Sequence, residues 1–162
     1  GLDPSVEIGP LINKDATKKI SKILDDAVRK GAKILLGGTK HNYGANFVQP
    51  TIVTNISDDM LICYTEIFGP VAAIYSFDDE KEIIKIANNT RAGLAAYFYG
   101  KNNSKIWKIA EGLEYGMVGV NTGLISTTIA PFGGVKESGF GREGSKYGIN
   151  EYIVLKYICM KI

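Results

Sequence analysis

Strand-like and helix-like segments alternate along most of this chain. Apolar side chains recur at helical spacing in three stretches, residues 15–30, 78–90 and 102–113. Short runs rich in β-branched and aromatic residues lie between and after them, at residues 32–38, 47–56, 66–77, 93–100 and 116–122. This order is typical of strand–helix–strand units. It predicts a layered α/β fold with a largely parallel sheet and flanking helices.

The first helix is predicted to begin at Asp15 as its N-cap and to end at Gly31, where glycine favours a stop. Its apolar face is predicted from five side chains at helical spacing, Ile20, Ile23, Leu24, Ala27 and Val28. Spacing of this kind indicates an amphipathic helix that packs one face against a core.

The chain is long enough for one folded domain. It has 162 residues, of which 45% are hydrophobic, and a domain of this size buries roughly 70% of the surface of its unfolded chain. No internal repeat or linker interrupts it, so we expect one structural unit over residues 1–150.

The remaining residues, 151–162, are dense in β-branched and aromatic side chains and read as a terminal strand. A strand without a neighbour leaves its backbone groups unpaired. We therefore expect this tail to pair with another copy of the chain and to form a homo-oligomer.

Charge and hydropathy exclude several classes of partner. The net charge is +2 and the lysines are scattered, which argues against nucleic-acid binding. No apolar run approaches the roughly 20 residues needed to cross a bilayer, and no signal segment opens the chain. These features predict a cytoplasmic protein that does not bind a membrane.

The cysteines do not form a metal site. Cys63 and Cys159 lie far apart, and with the single His41 they match no zinc-ligand spacing. We expect both thiols to be reduced and buried as apolar side chains, although the sequence alone leaves a disulfide between them open.

The segment GFGREG, residues 139–144, has the glycine spacing of a dinucleotide-binding turn. Such a turn needs a buried strand before it, a helix that opens within it and an acidic residue about 20 positions later. The segment has none of these in secure form. Its glycines are better explained as turn residues with positive φ.

Glu66 and Phe68 lie two residues apart in TEIFGPV, residues 65–71. In an extended segment, alternation would place both side chains on one face. A carboxylate can accept hydrogen bonds from both hydroxyls of a ribose, and a ring beside it can pack on a flat heterocycle. The alternative is a salt-bridged glutamate and a core phenylalanine.

Several motifs in order resemble the C-terminal part of the NAD(P)-dependent aldehyde dehydrogenase superfamily. They are GPLI, EIFGPV, NNT followed by GLAAYFYG, GVN, and PFGGVKESGFGREGSKYGINEY. The combination of GLIS with the last motif is most similar to the succinate-semialdehyde dehydrogenase branch. The resemblance extends from about Gly9 to about Cys159, and Thr65 departs from the acidic residue common at that position.

The resemblance implies roles for five side chains. Glu66 would bind the nicotinamide ribose of NAD or NADP, and Phe68 and Leu94 would lie near the nicotinamide. Ser126 would contact the substrate carboxylate and Phe132 would line the substrate tunnel. Without the resemblance, Leu94 reads as a core residue and Ser126 as a local backbone cap.

The family reaction needs a cysteine nucleophile and a glutamate general base. The resemblance places both, with the dinucleotide-binding region, upstream of Gly1, and neither Cys63 nor Cys159 matches the nucleophile motif. We therefore expect residues 1–150 to be a partial catalytic domain with no catalytic residue, inactive alone, whose parent enzyme oxidises succinate semialdehyde. The alternatives are a non-catalytic assembly module and a dehydrogenase of another aldehyde.

Overall fold

The computed structural model describes residues 2–39 and 41–162. In these residues the elements follow the order α1 (Lys14–Arg29), β1 (Lys33–Leu36), β2 (Thr51–Thr54), β3 (Val71–Ala73), α2 (Glu80–Asn88), β4 (Ala92–Gly93), β5 (Ala95–Phe98), α3 (Asn103–Gly112), β6 (Met117–Val120) and β7 (Val135–Lys136). Two 3₁₀ turns, Leu61–Cys63 and Gly148–Tyr152, complete them. The predicted α/β class and the three predicted helices are confirmed.

The residues group into two compact units, Gly1–Ser76 and Phe77–Ile162. The sequence does not predict this division, because no glycine- or proline-rich linker marks the boundary. The division into a catalytic part over residues 1–150 and a tail over residues 151–162 stays a prediction.

Helix α1 begins two residues earlier than predicted. Asn13 is the N-cap: its backbone is extended and its side chain accepts a hydrogen bond of 2.9 Å from the Ala16 N–H. Asp15, the predicted N-cap, lies in the first turn and pairs with Lys18. The predicted stop is confirmed, because Gly31 follows the helix with a φ of +101°, a conformation that glycine adopts readily.

The core of the first unit forms around the predicted face of α1. Its fully or nearly buried side chains include Ile20, Ile23, Leu24, Ala27, Val53, Met60 and Ile62. Val28 is exposed instead of buried. At 3.6 residues per turn it lies about 80° around the helix from Ile20, at the edge of the apolar face, so its inclusion in that face was wrong.

A three-stranded sheet packs in the same unit. Strand β1 pairs antiparallel with β2, and β2 pairs parallel with β3. The strand predicted over residues 66–77 shortens to β3, because the chain turns at Phe68, which has a φ of +44°. Parallel pairing is therefore present in this sheet but does not extend through all of it.

The buried carboxylate of Asp26 ties a 3₁₀ turn to α1. It accepts a hydrogen bond of 2.8 Å from the Leu61 N–H and pairs with Arg29 at 3.0 Å and Lys30 at 3.3 Å. The Leu61 hydrogen bond, with help from the two cations, holds the pKa of Asp26 below its ordinary value. An ionised side chain of α1 thus anchors the turn Leu61–Cys63, which leads directly to Glu66.

The second unit contains a strand–helix–strand element, β5–α3–β6. Strands β5 and β6 pair in parallel from Ala95↔Met117 to Phe98↔Val120. Asn102 caps α3 by accepting from the Lys105 N–H at 3.1 Å. The strand predicted over residues 93–100 is divided: β4 pairs antiparallel with β7, whereas β5 belongs to a different sheet. Leu94 lies at the bend between them.

The tail has no strand partner among the residues that the structure describes. After the turn Gly148–Tyr152 the backbone joins no sheet, and apolar side chains such as Val154 and Leu155 are almost fully exposed. A strand here would need a partner outside these residues, so the predicted pairing with another copy stays a prediction. No helix within residues 2–39 and 41–162 is long and apolar enough to cross a membrane.

Candidate functional site

Glu66 lies on a loop between the turn Leu61–Cys63 and strand β3. The loop is fixed at its start by a hydrogen bond of 3.0 Å from the Thr65 N–H to the Leu61 carbonyl. Glu66 is exposed, and no described residue hydrogen-bonds or pairs with its carboxylate. The carboxylate is therefore available to accept hydrogen bonds from a ligand.

Phe68 projects from the same loop in an unusual conformation. Its φ of +44° lies in the left-handed region, which costs a non-glycine residue about 1–3 kcal/mol. The expectation that residues 66–68 form an extended segment was therefore wrong. Phe68 is 75% exposed, so it is not the core phenylalanine of the alternative interpretation.

The position of Gly69 explains this conformation. A methyl group at Gly69 would lie 2.2 Å from Cδ1 of the core residue Ile20, so the backbone here packs directly on the core. The backbone dihedral angles are restricted here for two reasons: Gly69 packs closely on the core, and Pro70 restrains the residue before it. The Phe68 ring is consequently held outward instead of packing inward.

The two cysteines lie in different surroundings. Cys63 packs against the core, as predicted, but is only half-buried; its Sγ lies 3.2 Å from the Ser57 carbonyl oxygen and 2.6 Å from Tyr75 Oη. Burial and the Cys63 contact raise the pKa of Tyr75, so its hydroxyl is no base at neutral pH. Cys159 is exposed, contrary to prediction, because the tail has no packing partner among residues 2–39 and 41–152; both thiols are free.

In the second unit, Leu94 lies beside the loop that carries Phe132. Leu94 is 41% exposed, and the Gly93 N–H before it donates to Ser138 Oγ at 2.9 Å. A methyl group at Gly134 would lie 3.2 Å from the Leu94 Cα. The backbones of these two segments therefore touch, which brings Leu94 close to the Phe132 loop.

Phe132 is half-buried and held by an antiparallel bridge to Glu143. The two residues exchange backbone hydrogen bonds of 2.9 and 2.7 Å. The segment between them doubles back on itself, and a methyl group at Gly133 would lie 2.7 Å from the Gly141 carbonyl oxygen. Only glycine allows this close crossing of the backbone.

Ser126 is exposed on the loop that follows β6. The Ser145 N–H donates to the Thr128 carbonyl at 2.9 Å, which ties this loop to the glycine-rich segment. The Ser126 hydroxyl caps no backbone group in the described residues, unlike the local cap of the alternative interpretation. It is therefore free to hydrogen-bond to a ligand.

The glycines of GFGREG serve the turn predicted for them. Gly139, Gly141 and Gly144 have φ values of +120°, +75° and +65°, so the assignment to turn positions is confirmed. Arg142 within this segment was not predicted from the sequence. Its guanidinium donates to two backbone carbonyls. Its signal was a lone arginine among closely spaced glycines, where buried backbone carbonyls need donors.

The predicted site residues thus fall in two groups. Glu66 and Phe68 belong to the unit Gly1–Ser76, whereas Leu94, Ser126 and Phe132 belong to Phe77–Ile162. Within the first unit the structure offers an unpaired carboxylate and an exposed ring on one loop. Within the second it places Leu94 and Phe132 on touching segments, with the Ser126 loop fastened to the same glycine-rich segment.

Comparison with known proteins places these features in a family. The model of the aldehyde dehydrogenase family matches residues 1–158. A mitochondrial succinate-semialdehyde dehydrogenase of Oryza sativa subsp. japonica is 56% identical over 160 residues, 99% of this chain and 30% of the relative. This chain therefore spans about a third of the length of that enzyme.

Solved structures agree with this assignment. A succinate-semialdehyde dehydrogenase from Burkholderia pseudomallei superposes with a TM-score of 0.96 at 49% identity, covering 100% of this chain and 34% of that one. An NAD⁺ complex of a Bacillus cereus aldehyde dehydrogenase gives 0.88 at 36% identity, covering 93% and 31%. The predicted resemblance is confirmed: the chain belongs to the aldehyde dehydrogenase family and is similar to its succinate-semialdehyde dehydrogenases.

Proposed function

We propose that this chain supplies part of the nicotinamide and aldehyde sites of an oxidoreductase that converts succinate semialdehyde to succinate with NAD or NADP. The observation that carries the proposal is the loop of Glu66 and Phe68, which presents an unpaired carboxylate and an exposed ring from a strained, tightly packed turn. The high identity to named succinate-semialdehyde dehydrogenases supports the choice of substrate.

The donor and acceptor groups of the chain fit a nicotinamide nucleoside. Glu66 offers only acceptors, which match the two hydroxyl donors of a ribose diol. Phe68, on the same loop, offers apolar surface for the flat ring. The chemistry that a bound nicotinamide would supply here is the acceptance of a hydride from the substrate.

The aldehyde site would use the second unit. Phe132 supplies an apolar wall for the short carbon chain, and the Ser126 hydroxyl donates a hydrogen bond to the carboxylate at its far end. A hydroxyl gives one such bond, so Ser126 contributes to selectivity between acidic and neutral aldehydes.

Replacing Ser126 by alanine in the full-length enzyme should therefore lower kcat/KM for succinate semialdehyde about tenfold, the effect of one hydrogen bond to a charged group. Steady-state assays of NAD(P)H formation measure this, with butyraldehyde as the neutral substrate of equal length. Its kcat/KM should change less than twofold on the same order-of-magnitude argument. Equal losses for both aldehydes would remove Ser126 from the carboxylate contact and favour another substrate.

The 162 residues alone should not turn over the aldehyde. Cys63 is engaged by Ser57 and Tyr75, and Cys159 lies on the exposed tail; both observations support a nucleophile supplied by another segment of the enzyme. The test compares NAD(P)H formation by the chain and by the full-length enzyme. Turnover by the chain that is lost in Cys63→Ser would contradict this part of the proposal.

The tail supports assembly as a second role. Residues 153–162 expose apolar side chains and unpaired backbone, a combination that favours strand pairing with another chain. Light scattering of the full-length enzyme with and without residues 153–162 tests this; an unchanged mass would argue against it.

The free thiols fit a reducing compartment, which we propose to be the cytoplasm, and cell fractionation checks that.

A further inference from the structure

Arg142 occupies the interior of the loop that carries Phe132. Its Nη1 donates to the Gly134 carbonyl at 2.8 Å and to the Gly141 carbonyl at 2.7 Å. The stem of the side chain fills the space beside Gly133, where a methyl group would lie 2.8 Å from the Arg142 Cδ. Arg142 is half-buried and forms no ion pair with a described residue.

The two carbonyls lie on opposite arms of the loop. Gly134 follows Phe132 by two residues, and Gly141 precedes Glu143 by two, so one guanidinium nitrogen joins the arms just beyond the Phe132–Glu143 bridge. Hydrogen bonds from a charged donor are roughly twice as strong as neutral ones. Without the cation, these carbonyls would lose their shared donor and the arms would separate more easily.

The outgoing arm of the loop, which carries Phe132 and Gly134, touches the segment of Leu94. Gly134 packs against the Leu94 Cα, and Val135 pairs with Gly93 in the β4–β7 ladder. The outgoing arm is paired with β4 only from Val135 onward. Phe132 lies before that pairing and is held by its bridge to Glu143, on the arm that Arg142 joins to Gly134. A change at Arg142 should move Phe132 more than Leu94.

We propose that Arg142 is a positioning residue for Phe132: by joining the two loop arms it sets where the ring stands in the wall of the aldehyde site. This inference rests on the proposed function, since it gives Phe132 a role against the substrate. It predicts an effect on the aldehyde and little effect on the nicotinamide cofactor.

The test uses Arg142→Lys in the full-length enzyme, because lysine keeps the charge but not the reach or fork of the guanidinium. We expect kcat/KM for succinate semialdehyde to fall roughly tenfold, since small misplacements of a substrate-positioning group have effects of this order or larger. The KM for the cofactor should stay unchanged. Arg91→Lys is the matched control, because Arg91 forms an exposed ion pair with Glu137, and it should leave both parameters unchanged.

A double-mutant cycle distinguishes positioning from general stability. If Arg142 acts through Phe132, Arg142→Lys should have almost no effect in a Phe132→Ala background. A loss equal to that in the wild-type background would overturn the proposal. So would a matching rise in the KM for the cofactor.

Hydrogen exchange gives a readout that needs no turnover. The Phe132 and Glu143 amides donate to each other's carbonyls and should exchange roughly tenfold faster in Arg142→Lys, with the β5–β6 amides unaffected. Arg142→Gln serves if the lysine variant does not fold. An enzyme inactive on succinate semialdehyde would refute the proposed function alone, whereas unchanged exchange at Phe132 and Glu143 would refute the positioning role.

Discussion

Replacing Glu66 by glutamine in the full-length enzyme should lower kcat/KM for the nicotinamide cofactor about a hundredfold, because hydrogen bonds to a charged group contribute about 1.5–3 kcal/mol each and the ribose diol would make two. Glutamine keeps the size of the side chain but presents one acceptor and an NH₂ group. One hydroxyl then faces a donor instead of an acceptor. The loss should appear mainly as a higher KM for the cofactor.

Initial rates at varied cofactor concentration and saturating aldehyde measure this effect. Glu7→Gln is the control, since Glu7 is an exposed carboxylate of the same unit with no proposed role. The KM for the aldehyde should be similar in all three proteins. An unchanged cofactor KM in Glu66→Gln, or an equal change in Glu7→Gln, would remove Glu66 from the nicotinamide site.

The local signals of the sequence predicted the helices well. Periodicity identified the buried face of α1 and the existence of α2 and α3, because burial of one helix face is a property of residues three and four positions apart. The N-cap was misplaced from Asn13 to Asp15, since both residue types cap helices and only the backbone conformation distinguishes them. Val28 was misassigned for a related reason, because spacing does not fix the width of an apolar face.

Features that depend on distant parts of the chain could not be predicted in this way. The left-handed Phe68 follows from the packing of Gly69 on Ile20, 49 positions earlier. The division of residues 93–100 into β4 and β5 follows from pairing with β7 and β6, which come later in the sequence. The role of Arg142 likewise depends on two backbone segments that only the fold brings together.

The candidate site residues had a different origin from the fold. Spacing alone favoured a salt-bridged glutamate and a core phenylalanine for Glu66 and Phe68. Among the described residues Glu66 has no ion-pair partner, and Phe68 is exposed. Leu94, Ser126 and Phe132 came from the family resemblance. What the structure adds is the backbone that holds them, and much of that backbone consists of glycines in contact.

Gly116 lies at the centre of these contacts, and Gly116→Ala should be the most disruptive single change in the second unit. A methyl group there would lie 2.0 Å from the Gly133 carbonyl oxygen and 2.7 Å from the Gly134 Cα. The clash is with backbone on both sides, so no side-chain rotation can relieve it. The Gly116 N–H also donates to the Gly93 carbonyl at 2.9 Å, which fixes Gly116 from the side of β4.

We expect the substitution to destabilise this unit by about 3 kcal/mol, the upper part of the usual range for overpacking, and to abolish most of the aldehyde turnover. Hydrogen exchange of the β5–β6 amides in the full-length enzyme measures the local opening free energy. Gly123→Ala is the matched control, since the nearest atom to its new methyl group would be Tyr99 Oη at 3.9 Å, and it should change stability by less than about 0.5 kcal/mol.

Comparing Gly116→Ala with Gly123→Ala distinguishes a general intolerance of alanine from a specific close contact between two backbone segments. If Gly116→Ala had the amide exchange rates and the aldehyde turnover of the wild type, the Phe132 loop would not lie on the start of β6 as the structure has it. If Gly123→Ala were equally damaging, the loss would come from backbone entropy or loop motion. Backbone contact positions Phe132 and Leu94 if Gly116→Ala loses stability and turnover while Gly123→Ala keeps both. In that case the methyl group at residue 116 displaces Phe132 and Leu94 together.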